Sequence, residues 1–145
     1  MKNTSKVLHF PSVAHPNIDT VLSAFLRDQR SRLRPRTLKY YEDVVELLKH
    51  CLNSYGANEL NSSPDIALYD RLCCIKNLDF CEVFGPEKIL PALSGFLNYF
   101  MIRKVMASEA LLQAAGTVTK KLVKWLEEKG HLSEREAAEG IRIAA

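Results

Sequence analysis

Arg30-Ser31-Arg32-Leu33-Arg34-Pro35-Arg36-Thr37-Leu38-Lys39-Tyr40-Tyr41 is a basic turn that runs straight into an amphipathic helix. Proline is pre-set for the first turn of a helix and lacks the N–H that would be orphaned there, so the helix is expected to begin at Pro35. Five cations, Arg30, Arg32, Arg34, Arg36 and Lys39, cluster around that start. Cations at the positive end of a helix dipole do not help the helix. Their presence favours a role outside the fold, such as contact with an anionic partner.

Working outward, Ile18, Val21, Leu22, Phe25 and Leu26 recur at helical spacing, with Asn17 as N-cap, and predict a first helix to about Arg30. Leu38, Tyr41, Val45, Leu48 and Leu52 give the second helix its inner face, and Gly56 offers a left-handed cap near its end. Residues 57–84 read as a loop followed by a short helix over Asp65–Ile75. Ile89, Leu90, Leu93, Phe96, Leu97, Phe100 and Met101 form a broad stripe on a third long helix to about Val105, with Pro91 in or just beyond its first turn. Ser108 caps a fourth helix that ends before Gly130 and carries Leu111, Ala115, Val118, Leu122, Trp125 and Leu126 on one side. Thr117, Lys120, Lys121 and Lys124 lie on the other. Ser133 and Glu136 read as a capping box opening a last helix to about Ile143. No strand pattern appears, so the fold class is all-α, with four to five helices. Residues 17–145 make one domain behind an extended arm of residues 1–16, with a long connection at about 55–85.

At 145 residues and 47% hydrophobic content the chain suits one domain with its own core. The net charge of +3 does not by itself imply nucleic acid. Its distribution is more informative. Residues 27–49 hold seven cations and four anions, residues 101–130 six and three, and residues 55–90 three and six. The start of the chain has no apolar leader pattern and the longest apolar runs are shorter than a membrane span, so a cytoplasmic protein with no membrane partner is expected.

Cys51, Cys73, Cys74 and Cys81 are expected as buried free thiols, and they lack the paired spacing of a zinc site. His9, His15 and His131 are isolated and are expected on the surface or arm, with no nucleophile and base pattern around them. No glycine-rich phosphate loop is present, and Gly116 suits close helix packing. No catalytic residue, metal or cofactor is expected, and the chain reads as a non-enzyme.

Leu33 to Tyr41, with Pro35, Thr37 and Tyr40 or Tyr41, resembles the Ser-Pro-x-Thr-x-x-x-Tyr-like helix start in the SAM-like core-binding domain of tyrosine recombinases (phage integrases), with Arg34 in place of the Ser. Val123 to Leu132 looks similar to the end of that domain's last helix. The resemblance covers roughly residues 17–131. It implies an orthogonal helical bundle that clamps duplex DNA from one side, while a separate catalytic domain supplies the Arg, His-x-x-Arg and Tyr groups. This chain contains no His-x-x-Arg element, and its acidic connection is longer than the family's usual one.

The expected DNA-binding residues are therefore Arg30, Arg32, Arg34, Arg36, Thr37, Lys39, Thr117, Lys120, Lys121 and Lys124. Arginines favour bidentate phosphate pairing, whereas the lysines also suit a plain solvated helix face. The competing expectation is a helical interaction module without DNA, in which part of the Phe96–Met101 stripe stays exposed to a homodimer or helical protein partner.

Overall fold

The structure, a computed structural model, describes residues 13–145, so most of the expected arm lies outside the described residues. Among these residues the protein is all-α, with seven α-helices and no strand. They are α1 (Ile18–Arg30), α2 (Pro35–Tyr55), α3 (Ser63–Leu68), α4 (Phe80–Val83), α5 (Ile89–Gly95), α6 (Glu109–Glu128) and α7 (Glu134–Ala144).

The polar residues at helix starts act as their chemistry dictates. Asn17 Oδ1 accepts from Thr20 N at 2.8 Å, Ser108 Oγ accepts from Leu111 N at 3.2 Å, and Ser133 and Glu136 form the reciprocal capping box of α7. Pro35 occupies the first turn of α2. Gly130, at φ +83°, closes α6: His131 N reaches Leu126 O at 2.8 Å and Gly130 N reaches Glu127 O at 3.0 Å, the paired bonds of a Schellman turn.

Gly56 does not take the expected left-handed cap. Its φ of −57° continues the chain into a 3₁₀ turn over Gly56–Glu59, and a Cβ there would sit 2.8 Å from the Phe80 ring. Its bare Cα gives Phe80 room to dock.

The 57–84 connection is more ordered than a loop. The short helix starts two residues earlier than expected, at Ser63, and widens into a π-helical stretch at Tyr69–Ile75. A second short helix, α4, was not signalled by periodicity at all. It is held by the Asp79–Glu82 capping box and by Asn53 Oδ1 accepting from Cys81 N at 2.9 Å. These two short helices take the count beyond the four or five anticipated.

The third long helix resolves the question of Pro91. Pro86–Lys88 form a separate 3₁₀ turn, α5 starts at Ile89, and Pro91 lies in its first turn. From Phe96 to Lys104 the helix is π-helical, and Met106 at φ +53° ends it by turning Ala107 N back onto Met101 O at 3.0 Å. Phe96, Phe100 and Met101 are buried, so the apolar surface left in solvent is Tyr99 and Ile102 rather than the stripe itself.

The core is continuous from Ile18 on α1 to Ala137 on α7. Two ion pairs, Lys49 with Asp19 at 3.3 Å and Arg30 with Glu42 at 3.7 Å, join α1 and α2 near opposite ends and mark them as antiparallel. Helix α7 lies against α6 through glycine. A Cβ on Gly140 would meet Val123 Cγ2 at 2.9 Å, and one on Gly116 would meet the Ala144 carbonyl oxygen at 3.3 Å.

Candidate nucleic-acid interface

The basic turn follows the C-terminal end of α1, and all of its arginines are exposed. Arg34 is the N-cap residue of α2 with no side-chain capping bond, and no acidic residue stands in that first turn. The N–H groups of Arg36 and Thr37 therefore point outward beside two guanidinium groups, a setting that suits an anion. Arg30 and Lys39 are differently placed. Arg30 pairs with Glu42, and Lys39 pairs with Asp43 at 3.0 Å, a hydrogen bond and charge contact that hold the Lys39 ammonium above its usual pKa. Arg32, Arg34, Arg36, Lys120, Lys121 and Lys124 make no ion pair with any described residue.

The lysine face of α6 divides along the helix. Thr117 and Lys120 border an open hollow of about 500 Å³ that ends at Ala144 and Ala145 of the α7 end. Lys121 and Lys124, one turn on, share a small cleft with Arg32 and Gln29. Arg36 and Lys39 border a third hollow, of about 430 Å³, with Tyr40 and Asp43. Seven of the ten expected residues thus fall into three neighbourhoods, with Arg30, Arg34 and Thr37 bordering none of the three, and the one that joins the turn to α6 contains Arg32, Lys121 and Lys124.

That neighbourhood is anchored by Trp125. Its ring meets Phe25 edge-on at 5.5 Å, and its Nε1–H donates to Asp28 Oδ2 at 2.8 Å. Lys129 Nζ stands 5.9 Å from the centre of the Trp125 ring and 3.7 Å from Asp28. The Trp125 hydrogen bond, followed by the charges of Lys129, Arg32 and Arg27, keeps the Asp28 carboxyl below the usual carboxylate range despite some desolvation. His131, expected on the surface, is half-buried with its ring 6.4 Å from Trp125. Two features of this corner were not read from sequence. Asp28 is an acid within a basic run, and Gln29 is fully buried on the apolar stripe of α1.

No protein-family model, curated protein or solved structure matches this chain. What the face can bind follows from its own chemistry.

The acidic segment lies away from that chemistry. Residues 82–84 hold the start of α1: Asn17 Nδ2 donates to Glu82 O at 3.1 Å and Ile18 N to Phe84 O at 2.9 Å. The basic turn follows the other end of the same helix, about 20 Å away at 1.5 Å per residue over its 13 residues. Among the described residues no group of acids, histidines and cysteines is placed to hold a metal ion. Cys51 and Cys81 are buried, and burial raises their thiol pKa values to about 11 and about 12. Cys73 is half-buried and Cys74 exposed, so only two of the four match the expectation of buried thiols. No helix among the described residues is long and apolar enough to cross a membrane.

Proposed function

We propose that this chain is a non-catalytic, cytoplasmic DNA-binding protein that holds the duplex backbone in the manner of the recombinase core-binding domain it resembles. The observation that carries the reading is the meeting of Arg32 with Lys121 and Lys124 in one cleft, from stretches far apart in sequence. Arg34 and Arg36 extend the same charge to the uncapped start of α2. Cations without carboxylate partners are the ones available to phosphates, and such contacts give affinity and salt dependence without sequence readout.

The test is a titration against a random duplex at several salt concentrations. With about five phosphates engaged, log K falls against log salt with a slope of roughly −4 to −5. The Arg32, Arg34, Arg36 triple alanine variant lowers both the affinity and the slope. A flat salt response rejects the reading.

A helical interaction module is the second reading, favoured by one specific surface. Tyr55 and Phe100 line both a cleft of about 370 Å³ with Tyr99 and Cys51 and an adjoining one of about 510 Å³ with His50 and Lys104. Light scattering at high protein concentration tests it, because a dimer lost in a Tyr99→Glu variant places self-association on this surface.

A further inference from the structure

The cleft beside Trp125 contains a feature that duplex binding does not use. Gln29 lines it, is fully buried, and neither Nε2 nor Oε1 has a hydrogen-bond partner among the described residues. An unpaired carboxamide in a well-packed interior is costly, and exchanging its oxygen and nitrogen leaves the same donor and acceptor unused. Arg32, Lys121 and Lys124 stand around it, and Glu128, exposed, is the one acidic side chain lining the cleft. The nearby Asp28 carboxylate is engaged by Trp125 and Lys129.

Size and polarity restrict the ligand. The cleft measures about 60 Å³. At about 10–15 Å³ for each water-sized atom it has room for about four to six, a range that includes the five heavy atoms of one tetrahedral oxyanion. Three cations select an anion. The carboxamide adds a further condition, since Nε2–H donates to an anionic oxygen while Oε1 requires a donor in return. A phosphate that retains a hydroxyl supplies both groups. A backbone diester has no hydroxyl to give.

We propose that the Gln29 cleft is a binding site for a single hydroxyl-bearing phosphate, either inorganic phosphate or a phosphomonoester in its monoanionic form. On binding, the Gln29 carboxamide, closed to solvent in this structure, turns into the cleft: Nε2 donates to one oxygen, the phosphate hydroxyl donates to Oε1, and Arg32, Lys121 and Lys124 pair with the remaining oxygens. The site shares three cations with the DNA reading but does not rest on it.

Trp125 is the only tryptophan in the chain and lines the cleft, so its indole N–H resonance reports on this site. The protein is titrated with inorganic phosphate at neutral pH, with ionic strength held constant by chloride. The Trp125 resonance shifts and saturates, sulfate binds about tenfold more weakly for want of the hydroxyl, and Lys124→Gln weakens phosphate at least about tenfold. Gln29→Met abolishes saturation and raises the melting temperature by about 3–5 °C, because it removes the unpaired buried amide.

An unresponsive Trp125, sulfate binding as tightly as phosphate, or undiminished binding by Gln29→Met each overturns the proposal. No DNA enters the measurement, so the two readings fail separately. A protein that binds duplex with a steep salt dependence while Trp125 ignores phosphate refutes this inference alone. One that takes up phosphate but not duplex upholds it.

Discussion

The two ends of α1 use charge in opposite ways. At the N-terminal end the acids belong to the fold: Asp19 pairs with Lys49, Asp79 and Glu82 close a capping box, and Asp65 meets Lys88 at 2.6 Å. At the C-terminal end Arg32, Arg34 and Arg36, with Lys121 and Lys124 opposite, have no ion-pair partner among the described residues. A nearly balanced total charge therefore separates into charge spent on structure and charge left for a ligand. The net charge of +3 conceals that division.

The comparison breaks most readily through the apolar anchors, which should matter equally at both ends. Phe80, 2% exposed beside the acidic end, and Trp125, 5% exposed beside the basic end, each should cost about 3–5 kcal/mol of stability when truncated to Ala, measured by urea unfolding. A much smaller loss for Trp125 would make the basic corner an appendage rather than part of the core.

Single charges should then separate the ends. Lys88→Met leaves the half-buried Asp65 carboxylate without its partner and is expected to lower stability by about 1 kcal/mol. Arg34→Ala and Arg36→Ala, on exposed side chains without partners, should stay within about 0.5 kcal/mol. Equal losses at the two ends would erase the distinction.

Acid titration sharpens it further. Lys88, through its hydrogen bond, holds the Asp65 pKa below its usual value, with Ser62 assisting against some desolvation. A depressed folded-state pKa contributes stability that is fully present above the unfolded carboxylate pKa of about 4 and is lost as pH falls through the folded value. Asp65→Asn should flatten that acid limb in melts followed from neutral pH downward, while Arg36→Ala leaves its shape unchanged. An effect of opposite sign belongs to Met106, 80% exposed at φ +53°: Met106→Gly relieves the left-handed strain and should stabilise by up to about 1 kcal/mol in the same melts.

Where helices are long and start on a capping side chain, the sequence was legible. Asn17, Pro35, Ser108 and Ser133 stand where their chemistry places them, and the boundaries of α1, α2 and α7 follow to within a residue or so. The 57–84 segment resisted because α3 buries only Leu68 and α4 has just four residues, too little for a period to emerge. Its order comes from distant partners, Asn53 for Cys81 and Lys88 for Asp65. The π-helical stretches hid for a related reason, since their turns depart from the 3.6-residue repeat by which an apolar face is recognised.

The cations of the candidate site were legible as types, but their grouping was not. Arg32 meets Lys121 only because α1 and α6 pack together through Phe25 and Trp125. Gln29 sits four residues after Phe25, where the stripe calls for an apolar side chain. A glutamine in that register is the one signal that could have singled it out.

Gly140 also limits how this sequence can vary while keeping its shape. The arginines of the turn lie on the surface and leave the core intact when exchanged for lysine. Position 140 admits little beyond hydrogen unless Val123, whose methyl groups face it, and Leu90, whose Cδ1 would lie 3.0 Å from a Cβ there, give way at the same time. In a diverged chain with this architecture, the lasting mark of shared ancestry would be a reciprocal size change among positions 90, 123 and 140 rather than any charged motif.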